Sequence, residues 1–440
     1  MQRASGADTE RALRSGVRKA GWRLLPLLGI GYLISYIDRT NVGFAALTMN
    51  EALALTATQF GFAAGVFYLG YVSMEVPSSL VLRRVGARRW LARIMITWGL
   101  AAAGTAIVVG PQSLYAVRLL TGIAEAGFYP GVIFYLSNWF PPQYRARVFA
   151  LFSVANPLSS VVSGPVSTAL IQNMDGVLGL SGWQWMFICE GLPACVLGFW
   201  TLRFLPDSPD QARWLTAEEK QALNARHIEP RDPGVHTDLW HALRDPRVTI
   251  LSISYFLLIV GILGVTLWLP QILKQHALST TAIGWISAVP YLIASVGMVV
   301  WSVIMDRTRA LVGHYVVACL LAAVGFAVSI TADSLLITML GITLALVGMN
   351  SCRAPLFAML PTFVAGAAAA GSIAFVNSVG NLGGFVGPYL VGWLKDTTGS
   401  FKTGLIALAI SLAAAGFTAL LLKVVRPHQS APIPVSPSAH

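Results

Sequence analysis

Four ionisable residues stand inside apolar runs where no water is at hand to solvate them. Asp38 and Arg39 lie in Tyr36-Ile37-Asp38-Arg39-Thr40-Asn41, and Arg118 and Glu125 bracket Leu119-Leu120-Thr121-Gly122-Ile123-Ala124. A charge at the centre of a membrane-length helix costs about 2.5–3.5 kcal/mol, so each of the four needs a partner or a watery cavity. The seven-residue step from Arg118 to Glu125 is about two helical turns and puts both on one face, whereas the adjacent Asp38 and Arg39 diverge by roughly 100°. If the first run rises through a bilayer and the fourth descends, Arg39 and Glu125 come to similar depths, with Asp38 and Arg118 offset by roughly two turns or less. The expected arrangement is therefore crossed: Arg39 with Glu125, and Asp38 with Arg118. Such a network either pins two helices together and does nothing more, or it exchanges ions. In the second case an anion takes over Arg39, Glu125 loses its countercharge in a low dielectric, and the carboxylate takes up a proton. Tyr36, Asn41 and Tyr129 add polar groups to the same helices, and Gly122, Gly127 and Gly131 permit close backbone approach, which favours exchange.

The elements that must position these residues are set by composition. Of 440 residues, 55% are hydrophobic and 11% charged, with a mean hydropathy of +0.67; a soluble domain carries about 25% charged residues. Apolar runs of spanning length, roughly 20 residues, recur along the chain. Reading them against caps and loop charges gives twelve spans, near 24–47, 58–80, 91–110, 115–138, 148–171, 184–204, 248–270, 282–304, 314–331, 334–357, 369–392 and 404–423. The fold class expected is an all-α membrane protein, with twelve transmembrane helices in two six-helix bundles. Residues 1–23 form a cytoplasmic N-terminal segment, 24–204 the first bundle, 205–247 a cytoplasmic linker, 248–423 the second bundle, and 424–440 a disordered tail rich in Pro and Ser. Within the linker, Thr216 and Glu219 form the N-cap and N3 positions of a surface helix.

The net charge of +11 is a matter of placement rather than a nucleic-acid footprint. Arg3, Arg11, Arg14, Arg18, Lys19 and Arg23 precede the first span, Arg83, Arg84, Arg88 and Arg89 follow the second, and Arg145 and Arg147 follow the fourth. These are alternate loops, as the positive-inside rule requires of a cytoplasmic face, so both termini are expected in the cytoplasm and the membrane is the cell's inner one. The polar start and the length of the first run argue against a cleaved signal. Cys189, Cys195, Cys319 and Cys352 lie in apolar runs without paired spacing, so neither a disulfide frame nor a metal site is expected. No nucleophile–base–acid set or phosphate loop stands out, and neither an enzyme nor a cofactor is expected.

Two six-span halves around a charged loop suggest repeats that hold a ligand between them near the midplane. The loop carrying Arg83, Arg84, Arg88 and Arg89 is echoed by Asp306-Arg307-Thr308-Arg309 after span eight. These clusters either mark topology or close the cytoplasmic side through ion pairs, which makes Arg88, Asp306 and Arg307 candidate gate residues. Glu75, near the end of span two and within reach of the following arginines, is a candidate partner for them. Glu190, before Gly191-Leu192-Pro193, reads as a helix-packing acid. Asn156, Asn377, Asn381 and Tyr71 either hydrogen-bond a ligand in the cavity or serve as interhelical glue. Arg353, with Cys352 and Pro355 beside it, either snorkels to the cytoplasmic edge or faces the cavity opposite Arg39 and offers a second guanidinium to a dicarboxylate.

Several segments together resemble the major facilitator superfamily, and within it the anion:cation symporter family, whose members carry phthalate, tartrate, hydroxyphenylacetate and sugar acids. They are Tyr36 to Asn41, Glu75-Val76-Pro77-Ser78 with Gly86-Ala87-Arg88-Arg89, Arg118 to Gly131, Trp139-Phe140-Pro141, Glu190-Gly191-Leu192-Pro193, Trp268-Leu269-Pro270, and Asn377 through Gly404. The resemblance implies proton-driven uptake of a small organic anion by alternating access, with Asp38 and Glu125 as proton-linked acids and Arg39 and Arg118 in substrate or acid pairing. It places Tyr36, Tyr71, Asn156 and Asn377 on the cavity wall. The partners expected are an organic anion, a proton and the lipid bilayer, with the chain a monomer. Two departures stand out. Arg353 precedes Ala354-Pro355 where small or polar residues are usual, and Thr362-Phe363-Val364-Ala365-Gly366 lacks the charges that relatives carry. A drug/proton antiporter would show a longer glycine motif around Gly164-Pro165 than Val166-Ser167 supplies, and a transporter-like nutrient sensor would need a signalling extension.

Overall fold

The computed structural model describes residues 6–225, 243–363 and 366–425, and among them no strand occurs. The tail from Pro427, expected to be disordered, and linker residues 226–242 therefore lie outside the described residues. The first half comprises α1 (Gly6–Ala52), α2 (Ala57–Val85), α3 (Ala87–Gly104), α4 (Pro111–Glu125), α5 (Phe128–Trp139), α6 (Pro142–Ser153), α7 (Ala155–Asn173) and α8 (Gly182–Phe204). A short α9 (Ala217–Ala225) follows. The second half comprises α10 (Pro246–Lys274), α11 (Thr280–Thr308), α12 (Leu311–Ser329), α13 (Leu335–Phe363), α14 (Gly366–Thr398) and α15 (Phe401–Leu420). Among the described residues eleven segments are long and apolar enough to cross a bilayer. The twelfth, α14, is 33 residues long and its hydropathy is diluted by glycine, serine and asparagine. The two bundles of six spans are those expected.

Hydrogen-bonding side chains fix where the helices begin. Thr56 and Gln59 form a reciprocal cap on α2, Ser181 and Gln184 one on α8, and Ser279 caps α11. The lipid-facing surfaces stay apolar, as with Val296, Val299, Val300 and Val303 on α11 and Val196, Phe199 and Trp200 on α8, all exposed. Trp98, Trp139 and Trp268 are fully buried in the interior.

Spans four and five depart from the continuous helices expected. Span four breaks between α4 and α5, where Ala126 is extended and Gly127 takes φ +88°. A left-handed residue with no side chain is required there, because a Cβ on Gly127 would lie 2.1 Å from Ser78 Oγ. In span five Val154, two residues before Asn156, separates α6 from α7 with helical φ −59° and ψ −25°. Discontinuous helices at membrane depth are tolerated where they line a cavity or are sheltered by protein. Both positions fall beside candidate site residues.

At one end the halves are in contact. Gly61 of α2 packs on Pro388 of α14, Gly43 of α1 on Leu267 of α10, and Gly164 of α7 on Gly284 of α11, each with no room for a Cβ. Polar bonds join the same end. Asp396 accepts from the backbone N–H groups of Ala57 (3.1 Å) and Thr58 (2.7 Å) and from the Thr58 hydroxyl (2.5 Å), and Lys274 Nζ donates to the Leu47 carbonyl at 2.6 Å. Thr281 also bonds Gln172. At the other end, which carries Arg83 to Arg89, the halves separate around a cavity of about 770 Å³.

The N-terminal segment does not stand apart from span one. It forms the first turns of α1, and α9 docks against it: Ser15 Oγ donates to Glu219 at 2.7 Å and Lys19 Nζ at 3.0 Å. Thr216 and Glu219 make the expected reciprocal cap, with the Thr216 N–H donating to Glu219 at 3.0 Å and the Glu219 N–H to Thr216 Oγ1 at 3.3 Å.

Candidate functional site

Residues 32, 35, 36 and 39 follow the i, i+3, i+4, i+7 spacing of one helical face, and α1 turns that face toward the cavity. Tyr32, Tyr36 and Arg39 line it. Asp38 and Asn41 lie on the face turned into the first bundle, toward α3 and α8. The second half contributes Tyr255, Tyr291, Asn350, Arg353, Asn377 and Asn381 to the same cavity.

The expected pair of Arg39 and Glu125 is formed. Arg39 Nε and Nη2 donate to Glu125 Oε1 at 2.8 and 2.6 Å, and Ser35 Oγ donates to the same oxygen at 2.6 Å. Glu125 is fully buried and its other oxygen, Oε2, has no partner. The Arg39 guanidinium lies over Tyr71 (4.7 Å), Tyr36 (5.2 Å) and Phe67 (5.6 Å). These rings hold it at the cavity wall by cation–π attraction.

The expected pair of Asp38 and Arg118 is not formed. Asp38 Oδ2 accepts from the Trp98 indole N–H at 2.6 Å, and Oδ1 accepts from Asn41 Nδ2 at 3.4 Å. Arg118 is 2% exposed, is absent from the cavity wall, and its Nε has no partner. Its guanidinium lies 5.0 Å from the Phe67 ring, the same ring that Arg39 lies over at 5.6 Å. Where α2 packs against α4, a Cβ on Gly122 would lie 2.0 Å from the Phe67 carbonyl oxygen, so the helices approach backbone to backbone and Phe67 is brought close to both arginines. Arg118 thus touches no part of the space a substrate can occupy in this state.

Tyr36, Tyr71, Asn156 and Asn377 all line the cavity. Arg353 lines it too, and its guanidinium reaches Tyr36 across the interface between the halves. The snorkelling alternative fails because α13 continues to Phe363, ten residues beyond Arg353, or about 15 Å at 1.5 Å per residue. Arg353 Nε has no partner. Its neighbour Cys352 points the other way, to Cys319 at 3.5 Å.

Glu75 is not held by the arginines that follow it. It lines the cavity, and its two oxygens accept from Asn377 Nδ2 at 3.2 Å and Ser378 Oγ at 3.0 Å, joining the two halves midway along α2. Arg83 instead lies over Phe134, and the backbone N–H of Arg88 donates to Asp207 at 2.8 Å. Asp306 and Arg307 are exposed at the end of α11 and make no ion pair among the described residues. Among the described residues no ion-pair gate between these clusters is closed in this state.

Ser35 and Trp98 escaped the sequence reading. A buried indole N–H needs an acceptor, so a tryptophan inside a span that faces an unpaired acid is the signal that would have found the second of them.

A model of the Major Facilitator Superfamily matches residues 28–388 and 274–439. A relative from Agrobacterium vitis named for tartrate transport is 46% identical over 96% of this chain and 94% of its own. A quinolone resistance transporter of Acinetobacter baumannii is 38% identical over 90% of this chain and 92% of its own. In the fold alone, the chain resembles a bacterial homolog of the human lysosomal transporter Spinster, solved in an inward-facing and occupied conformation. That likeness has a TM-score of 0.76 at 16% identity and covers 91% of this chain and 96% of that one. The family consists of membrane transporters rather than enzymes, and this chain belongs to the Major Facilitator Superfamily, in its anion:cation symporter type.

Proposed function

We propose that the protein imports a small dicarboxylate together with a proton by alternating access between two six-helix halves, residues 24–204 and 248–423. The observation that carries this is one cavity lined by a guanidinium from each half, Arg39 and Arg353, with Arg39 already bonded to a buried carboxylate. Two guanidiniums suit two carboxylates, and Asn156, Asn350, Asn377, Asn381 and Tyr36 supply hydrogen bonds for hydroxyls between them. One relative is named for a substrate of that chemistry, tartrate.

The coupling follows from Arg39. A substrate carboxylate competes with Glu125 for the same N–H groups; once displaced, Glu125 keeps only Ser35, and a buried carboxylate without a countercharge takes a proton. Arg353 takes the second carboxylate and draws the second half toward the first. By the positive-inside rule the end bearing Arg83 to Arg89 is cytoplasmic, so this state is inward-facing, with both termini in the cytoplasm of a cell whose inner membrane holds the protein as a monomer.

The quinolone resistance relative supports a second reading, a drug/proton antiporter. The two are separated by solute counterflow in proteoliposomes preloaded with tartrate, a matched monocarboxylate or a quinolone. Exchange of tartrate alone, or of tartrate far above the monocarboxylate, supports the proposal. Exchange of the quinolone with none of either acid overturns it.

A further inference from the structure

Glu190 is a buried acid that the exchange at Arg39 does not use. It lies on α8, 6% exposed, and its oxygens accept from Ser167 Oγ and Asn41 Nδ2, both at 2.8 Å. The same Asn41 nitrogen donates to Asp38 Oδ1 at 3.4 Å. One neutral amide therefore serves two buried carboxylates, whose nearest oxygens lie within about 6 Å of each other by the lengths of those two bonds. No lysine, arginine or histidine bonds either acid among the described residues. The groups that face Asp38 are Trp98 from α3, Arg118 and Glu125 from α4, and Glu190 and Cys195 from α8. Those that face Glu190 are Asn41, Asp38, Ser167 and Cys189.

Leaving aside Glu75, which bonds the second half, three buried carboxylates of the first bundle (Asp38, Glu125 and Glu190) meet two guanidiniums, and Arg39 is bonded to Glu125. That leaves Arg118, beyond hydrogen-bond reach, for two acids. Two like charges sharing one donor in a low dielectric are not both retained, and one proton restores neutrality. The amide supplies an acceptor for that proton as well. Asn41 Oδ1 is buried without a partner, so by turning, the side chain accepts from whichever acid is protonated while its N–H groups serve the ionised one.

We propose that Asp38 and Glu190 form a single proton-holding pair bridged by Asn41, with Glu190 a second proton site of the carrier. The inference deepens the proton coupling proposed above and rests on it for its role in transport. The proton balance is simple: one proton moves between two carboxylates or leaves the pair for water, and no bond other than O–H is made or broken.

The test is an infrared pH titration of the purified protein in lipid, following the carbonyl band of a protonated carboxylic acid. Wild type, Glu125→Gln, Glu190→Gln, Glu190→Asp and Asp38→Asn are compared, each checked for a monodisperse gel-filtration peak. A protonated-acid band at neutral pH that survives Glu125→Gln is expected. In Glu190→Gln and in Asp38→Asn the band should vanish at a pH lower by about one unit or more, a tenfold loss in proton affinity, because each change removes the like charge that retains the proton. Glu190→Asp should restore the band toward its wild-type position. A band absent from both wild type and Glu125→Gln, or unmoved by Glu190→Gln, overturns the pair. The readout does not depend on transport. If the band moves as expected while uptake ignores the proton gradient, the coupling reading falls and the pair stands.

Discussion

Replacing Glu125 with glutamine removes the charge that competes with substrate for Arg39 while keeping the side chain's shape. In the native protein Arg39 gives two N–H bonds to Glu125 Oε1, at 2.8 and 2.6 Å. Hydrogen bonds to charged groups contribute about 1.5–3 kcal/mol each, and a substrate carboxylate must replace both before it gains anything. A neutral amide oxygen is a weaker competitor, so substrate affinity should rise by about tenfold, which corresponds to about 1.4 kcal/mol, or one half to one of those bonds. Removing one partner of a buried pair costs up to about 3–5 kcal/mol of stability. Here the cost falls at the low end, because Arg39 borders the open cavity and stays stacked on Tyr36, Phe67 and Tyr71. The variant should therefore fold, bind and exchange substrate, but it should not accumulate it, since it has no group there to carry and release the proton. The assay pairs isothermal titration of the purified variant with concentrative uptake and counterflow in proteoliposomes. Accumulation at the wild-type level, or affinity lowered by tenfold or more in a folded variant, would refute the competition between substrate and Glu125.

Other perturbations follow from the same geometry. Arg39→Ala should lose substrate binding outright, and unchanged affinity by titration would move the anion site elsewhere. Arg353→Ser should weaken a dicarboxylate by tenfold or more while leaving the matched monocarboxylate within about threefold; equal loss for both would remove Arg353 from selectivity. Asp396→Ala deletes three bonds that hold the closed end together, so a cysteine replacing the buried Ala64 of α2 should be alkylated faster by an impermeant maleimide than in the parent; an unchanged rate would show that the latch contributes nothing. At the linker, burial opposes ionisation of Glu219, but Lys19, the Thr216 N–H and Ser15 outweigh it and hold its carboxyl below the usual glutamate value. A lowered value means that this contact stabilises at neutral pH and is lost as pH falls through it. Hydrogen exchange in α9 should accordingly rise on acidification below about pH 4, and Glu219→Gln should show the faster exchange already at neutral pH.

The spans and the pairing of Arg39 with Glu125 could be read from the chain because both follow from helical rise and from the cost of charge in hydrocarbon. The partner of Asp38 could not. Whether Arg118 reaches it depends on how closely α2 and α4 approach, which the glycines permit but do not dictate. The position of Arg353 turned on where α13 ends. The apolar run fades near residue 357, yet the helix continues to Phe363, which moves Arg353 from the edge into the cavity. Glu75 illustrates the same limit. Its nearest charges in sequence are the arginines after α2, but its partners Asn377 and Ser378 lie 302 and 303 residues away. The break at Gly127 left a trace in the sequence, a glycine directly after the Glu125-Ala126 step, but a glycine in a span is also an ordinary packing residue.

A proton and a carboxylate should cross together. This is tested by following labelled tartrate and internal pH at once in proteoliposomes under an imposed inward proton gradient. Accumulation that rises with the gradient, is accompanied by internal acidification, and collapses with a protonophore is the predicted result. Uptake that ignores the protonophore but disappears when sodium is removed would contradict it.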